Sequence, residues 1–438
     1  MESLVLIARR YWEKGKRIGF FHLLTSNAVT KVLGVVFILA IARFLDAADV
    51  GRINIMLASM TVLTTLANFG TTTSILKLCS ENVDIQVIEQ HFVDGTVLNI
   101  VFSFVTFVAA NLLVVLRLLT SDAVLIRLMP IFLLVVLTTT LNGYFFVYFQ
   151  ARQQIVFISK LQASLKLFSI LVVILCTLVW QLKGFVLSYT VTDLASLLVY
   201  VAIVRKRVSQ HRLNWNWTRV KQIFSLSKYG ALANSLGQLL QYLDTMVLSV
   251  LRVDLSVIGH YSVAQYFLIG GNQLTYTMNQ VAVPRLSFHS DNKVRWMSAY
   301  KEYERSFRLV TVATILMISV AGPFIILVFV GKAYTVAITY IFILLVGFGA
   351  RGFMVPYSIA VWSLGRLDYN FFSSFMTALL NLVLNVSLVL MMGALGASCA
   401  TSAAYILGIP IFRHYFFREV KRKSASEWDN VKGTVVGL

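Results

Sequence analysis

The chain has 438 residues, 58% of them hydrophobic and only 13% charged, with a formal net charge of +19. Soluble domains carry about 25% charged residues, and no soluble fold could hide this much apolar surface. The Lys and Arg residues sit in short clusters between apolar runs, where a membrane protein's orienting charges belong, which excludes a nucleic-acid partner.

A spanning helix needs about 20 apolar residues, and hydrocarbon offers backbone groups no partner outside their own helix. Barrel-type strand alternation is absent. The basic start, Met1 to Arg17, leads without a cleavage site into a run of spanning length, which reads as a first helix that stays. Helices are predicted at Leu23–Phe44, Ile53–Leu76, Thr96–Leu118, Leu128–Tyr148, Ile155–Leu178 and Phe185–Val204. After a polar stretch, six more follow at Ala231–Leu251, Val257–Val283, Phe307–Val330, Tyr334–Leu364, Tyr369–Met392 and Ala394–Phe417. The expected fold is an all-α integral membrane protein of about 12 transmembrane helices. Its parts are an N-terminal six-helix lobe (1–204), a basic linker (205–228), a C-terminal six-helix lobe (229–417) and a tail (418–438).

With both termini cytoplasmic, the outer loops and helix ends hold only Arg43, Arg52, Arg117, Arg127, Lys183, Arg252 and Lys332, and nearly all other Lys and Arg lie inside. The positive-inside rule favours that orientation. All outer loops are then short. The inner loop Leu78 to His91 is acidic, against the trend.

The halves echo each other. Asp46 precedes Gly51 by five positions at the exit of the first helix, and Asp254 precedes Gly259 likewise after the seventh. Asn27 and Lys31 fall on Asn234 and Gln238, and Gln150-Ala151-Arg152 on Leu364-Gly365-Arg366. Such matches at nearly one shift indicate a parallel repeat of six helices.

Ionisable residues deep in a spanning helix cost about 2.5–3.5 kcal/mol, so each is a functional candidate. The basic ones are Lys31, Lys166 and Arg351; the acids are Asp193 and Asp244, the latter placed near a wet interface. Asn27 and Lys31 share a helix face, repeated by Asn234, Gln238 and Gln241, with further amides at Gln265, Asn272, Asn381 and Asn385. A single amide serves as well for joining helices, at about 0.6 kcal/mol per bond; an unpaired cation is too costly for that. Cations among amides suit an anionic substrate bearing hydroxyls, such as a lipid phosphate attached to a sugar. Gly347, Gly349, Gly352 and Pro356 beside Arg351 predict a kinked or unwound helix there.

The three cysteines have no metal or redox spacing, the six histidines form no cluster, and no nucleotide-binding or hydrolase motif occurs. No cofactor is expected. Transport would draw on a gradient, with Asp193 and Asp244 the candidates for H+ or Na+ coupling.

Ala40-Ile41-Ala42-Arg43-Phe44-Leu45-Asp46-Ala47-Ala48-Asp49-Val50-Gly51 resembles the first-helix exit of polysaccharide-export flippases, and Asn68 to Ser74 is similar to their second-helix ending. Asp244, Asp254, Gly259-His260-Tyr261 and Gly365-Arg366 resemble their second-half signals. The family is that of the Wzx-type O-antigen and polysaccharide flippases, in the multidrug/oligosaccharidyl-lipid/polysaccharide exporter superfamily. The resemblance implies a MATE-like, V-shaped pair of six-helix lobes that moves an undecaprenyl-pyrophosphate-linked oligosaccharide across the bacterial inner membrane. By position it implies substrate contacts at Lys31 and Arg351, with Arg43 and Arg152 nearer the mouths. Its implied partners are the lipid-linked glycan, membrane lipids and other glycan-assembly proteins.

The nearest rival is a multidrug exporter of the same fold, whose cationic drugs three buried cations would repel. A membrane glycan polymerase or ligase should carry its acid, base or Arg cluster in a sizeable outer loop, and here those loops are short. A channel would build rings of charge from an oligomer of short chains.

Overall fold

A computed structural model describes residues 33, 34, 36–81, 84–207 and 216–424, without the side chains of 81, 207 and 228–240. The described residues are helical almost throughout. In chain order the helices are α1 (36–42), α2 (Ala47–Asn68), α3 (Thr71–Glu81), α4 (Ile85–Val115), α5 (Ala123–Phe132), α6 (Leu134–Ala151) and α7 (Ile155–Arg207). Then come α8 (Trp217–Val250), α9 (Leu255–Phe288), α10 (Lys293–Ile325), α11 (Val336–Ser363), α12 (Leu367–Met392) and α13 (Ala394–Lys423). A π turn at Ile326–Val330 and a 3-10 turn at Lys332–Tyr334 join α10 to α11.

Eight of the described helical runs are long and apolar enough to cross a membrane. One of them is α7, whose 53 residues would reach about 80 Å if straight, far more than a bilayer core. It is not straight. Gln181 sits at φ 49°, ψ −133°, and the chain doubles back there, since Ser169 and Thr192 meet at 2.9 Å across the two arms. α8 and α9, of 34 residues each, are long enough but more polar, because they carry the amide stripes. With α7 counted as two arms, and α8 and α9 added, the described residues hold eleven of the twelve expected spans in the expected order, and α1 falls within the twelfth, the first in the chain.

Helix starts are set by side chains that accept the first free N–H groups. The Asp46 carboxylate accepts from the N–H of Asp49 at 2.7 Å to start α2, and Asp254 accepts from Ser256 at 2.8 Å to start α9. The aspartates that echo each other in sequence are thus equivalent caps. Asp122 caps α5 through the N–H of Leu125 and takes a two-pronged bond from Arg52 at 3.1 Å; Arg52 also reaches Asp49 at 2.7 Å. Burial pushes the Asp122 carboxyl up, but Arg52 and the backbone donors outweigh it and hold it below the usual carboxylate range.

Two expectations are corrected. The second span is not one helix over Ile53–Leu76: α2 stops at Asn68, Phe69 turns left-handed at φ 44°, and the Asn68 side-chain oxygen accepts from the N–H of Thr72 at 3.2 Å as α3 begins. The helix around Arg351, conversely, is unbroken. Its glycines provide close approach to neighbouring helices. A Cβ at Gly347 would lie 2.7 Å from the Ser402 Cα of α13, and one at Gly352 2.7 Å from Thr311 of α10.

By contacts, the described chain divides into two compact units, one taking 44–242 with the described residues up to 37, and the other 243–424 together with the short piece 38–43. Of the segment expected as a linker, 205–207 ends α7 and 217–228 opens α8; the division itself falls at Tyr242, within α8. The first unit has an aromatic core around Phe92, Tyr144, Tyr148 and Phe149. The second is built around Trp296, Tyr300, Phe307 and Phe416, with the Trp296 ring stacked on Tyr300 at 5.6 Å and its N–H donated to Ser363 at 3.2 Å. Of the acidic segment Leu78 to His91, Asp84 caps α4. Just beyond that segment Asp94, buried, receives Arg219 of α8 at 2.7 Å.

The repeat is visible in the backbone. Gln153 and Gly365, both at positive φ, close equivalent turns, as do Gln181 (φ 49°, ψ −133°) and Gly393 (φ 58°, ψ −134°). Gly184 and Gly396 follow these last two at the same distance, and a Cβ on either would lie 2.0 Å from a carbonyl oxygen, that of Cys176 or of Leu388. All these pairs are 212 residues apart. The first copy therefore places a glutamine in a conformation the second gives to glycine. Gln181→Gly should relieve about 1 kcal/mol of strain and raise the melting temperature of the purified protein; an unchanged or lower value would count against the turn as described.

Candidate functional site

In the second unit, Arg351 lies midway along α11 and its guanidinium donates to the side-chain amide oxygen of Asn272 on α9. No carboxylate lies within ion-pair distance of it among the described residues. The arrangement is a cation at membrane depth held by a neutral amide.

Asp244 is the centre of a second polar group in the same unit. The wet position expected for it is wrong, because it is 4% exposed. The Tyr261 hydroxyl of α9 donates to it, the Asn385 amide of α12 donates at 2.9 Å, and the Thr401 hydroxyl of α13 lies at 2.7 Å. Asn381, one turn before Asn385, donates to Thr401 at 3.1 Å and accepts from Asn385 at 2.8 Å. Four helices thus converge on one carboxylate, and all its donors are neutral. The remaining oxygen of the Asn385 amide is buried without a partner.

The first unit brings Lys166 and Asp193 together on the wall of an open cavity of about 250 Å³ lined by α6 and the two arms of α7. The Thr138 and Thr139 hydroxyls donate to Asp193, the latter at 2.9 Å, and the Asn142 amide lies at 3.4 Å. Lys166 faces the Tyr189 ring at 5.7 Å and has no hydrogen bond or ion pair among the described residues.

The other expected residues are dispersed or not described. Arg152, half-buried, donates to the Tyr148 hydroxyl at 3.2 Å at the end of α6, and Arg43 and Gln241 are exposed. Lys31 and Asn27 lie outside the described residues, as do the side chains of Asn234 and Gln238, whose backbone belongs to α8. Sequence reasoning missed Thr138, Thr139, Asn142 and Thr401. Hydroxyls on apolar helices usually bond their own preceding turn and give no signal; only their spacing against an acid on another helix could have drawn attention to them. Among the described residues no cluster of His, Cys, Asp and Glu suited to a metal occurs.

The fold and these buried polar centres define a multi-pass helical membrane protein of repeated six-helix design. The polysaccharide biosynthesis protein family profile matches residues 18–289, more than half of the sequence, and the chain belongs to that family. A search of curated proteins found no match. The fold is similar to that of the lipid II flippase MurJ in an inward closed conformation, with a TM-score of 0.75 and 12% identity over 92% of this chain and 90% of that one. It is also similar to an inward-facing multidrug resistance MATE transporter of the MOP superfamily, with a TM-score of 0.67 and 11% identity over 91% and 99% of the two chains. A third similar structure is a MOP superfamily transporter from Pyrococcus furiosus, described by the reverse polarity of its binding pocket, with a TM-score of 0.64 and 12% identity over 92% and 96%. At these identities the likeness is one of fold.

The Asp244 centre carries a stability prediction. Asp244→Ala would strand three buried donors, at about 1–3 kcal/mol for each left unpaired, whereas Asp244→Asn keeps an acceptor. Thermal melts should show a large loss for the first and a small one for the second; equal losses would mean the carboxylate is not the hub.

Proposed function

We propose that this protein is a flippase that carries an undecaprenyl-pyrophosphate-linked oligosaccharide, an O-antigen or related repeat unit, across the bacterial inner membrane by alternating access. The observation that carries the reading is Arg351, a cation at depth with a neutral partner and no counter-charge among the described residues. Such a charge is costly alone and is compensated when an anionic group binds. Arg351 holds the substrate's phosphates, and Lys31 keeps its sequence-based assignment as a second cation. Asn27, Asn234, Gln238 and Gln241 serve sugar hydroxyls, and Arg43 and Arg152 the entry and exit. Membership in a polysaccharide biosynthesis family supports a glycan cargo, and the fold likeness to a lipid II flippase supports a lipid-linked one.

The protein acts as a transporter and not as an enzyme, with both termini in the cytoplasm. Its surroundings supply membrane lipids and other glycan-assembly proteins. Coupling to protons or sodium falls to Asp244. Its donors are neutral and an unpartnered amide oxygen lies beside it, so a positive ion is attracted there without opposition. Asp193, the other candidate, shares its cavity wall with Lys166, which a mobile cation would have to face. The multidrug-exporter reading shares the fold, but Arg351 opposes cationic cargo.

Deleting the gene in its host should remove long-chain surface glycan and leave lipid-linked single repeat units on the inner face, and restoring the gene should reverse both. Arg351→Ala, present in the membrane at normal levels, should fail to restore them. Full restoration by that variant would overturn the site. Unchanged glycan in the deletion, with new drug sensitivity, would favour the exporter.

A further inference from the structure

The cavity between α6 and the arms of α7 has an inventory of polar groups that does not close on itself. Asp193 is supplied by Thr138, Thr139 and Asn142. Ser169 is bonded to Thr192, and Ser196 to the Thr192 carbonyl. Among the groups that remain on the wall are one cationic donor and two acceptor oxygens, beside the hydroxyls of Tyr189 and Tyr200. The donor is the Lys166 ammonium, which has only the Tyr189 ring. The acceptors are the amide oxygens of Asn142 and Gln162, both buried without a partner. Unpaired polar groups in such a place are costly, and a small turn of either amide presents its oxygen to an incoming hydrogen-bond donor.

The chemistry of the occupant follows by elimination. A metal ion or a cationic drug would suit the amide oxygens and Asp193 but meets Lys166 on the same wall. A phosphate would suit Lys166 but meets Asp193 and two acceptor oxygens. An apolar chain would leave all three groups unpaired. A neutral sugar ring fits, because each hydroxyl both donates and accepts. Its C–H face also suits the aromatic part of the wall, formed by Phe146, Tyr189 and Tyr200. Pockets for drug-sized ligands run to about 300–1,000 Å³, so about 250 Å³ corresponds to a single ring.

We propose that this cavity is a sugar subsite of the first unit, taking one neutral pyranose residue of the transported glycan, with Lys166 donating to it and Asn142 and Gln162 accepting from it. The proposal rests on the flippase reading and adds a second point of recognition, separate from the phosphate site at Arg351.

The test is saturation-transfer NMR on the purified full-length protein in lipid nanodiscs, with methyl α-D-glucopyranoside, D-glucuronate and sodium chloride as probes, run beside complementation of the same variants. The neutral glycoside should show saturation of its ring protons, unaffected by sodium. The signal should be lost in Lys166→Met and weakened about tenfold in Gln162→Leu, the worth of one hydrogen bond; circular dichroism and gel filtration check that each variant is folded. If one variant is misfolded, the other decides. No signal from the wild type, or an equal one from a folded variant, would overturn the subsite. A stronger signal from glucuronate would overturn the neutral assignment, and displacement by sodium would make the cavity an ion site. Complementation by a wild type that gives no sugar signal refutes the subsite alone. A sugar signal without complementation upholds the cavity and refutes the flippase reading.

Discussion

The constraint on which this structure depends is that hydrocarbon satisfies no hydrogen bond. Backbone groups must therefore be paired inside each helix, and every place where a helix begins or ends needs a side chain or a special backbone conformation. Asp46, Asp84, Asp122, Asp254 and Asn292 supply the first, each accepting from the turn it starts. Positive-φ residues at Gln153, Gln181, Gly365 and Gly393 supply the second. These punctuation points are what the two halves share. Much of the sequence between them has diverged, but a turn that must reverse a helix within two or three residues has few solutions, so the same ones recur.

The same constraint sorts the interior polar residues into closed and open sets. Asp244 belongs to a nearly closed set, since Tyr261, Asn385 and Thr401 meet it and Asn381 braces two of those three. Arg351 and Lys166 belong to open sets: one bond to an amide for the first, one aromatic face for the second. A closed set stabilises the fold. An open one stores an unmet interaction, and that is what a substrate can supply. The distinction depends on the partners across helices and not on the residue type, which explains why Asp193 and Asp244, alike in sequence context, differ in surroundings.

The helices were legible because apolar length is a strong and local signal. What was not legible depends on single residues with two readings. Glycines beside Arg351 suggested a break, yet Gly347 and Gly352 serve contact with Ser402 and Thr311; close packing and unwinding use the same residue. Asn68-Phe69-Gly70 does interrupt the second span, and an apolar window cannot see it because Leu66, Phe69 and Ile75 keep the run hydrophobic. At the sites, the depth of Lys166, Asp193 and Arg351 was readable, whereas the burial of Asp244 and the grouping of all four were not. Lys166 meets Asp193 only because the chain reverses at Gln181, a residue that no turn rule would single out.

The charge pattern completes the argument. On the side with the basic loops, acids would weaken the bias that orients the protein unless neutralised on the spot. Asp94 is paired with Arg219, Glu302 with Arg285, Glu304 with Arg308, and Glu419, fully buried, with both Arg366 and Arg422. Arginine suits this use, since its charge is permanent and its fork can hold two oxygens. The acids thus add structure, tying α4 to α8, α9 to α10 and the turn before α12 to α13. The unpaired surplus of Lys and Arg is left to set the topology.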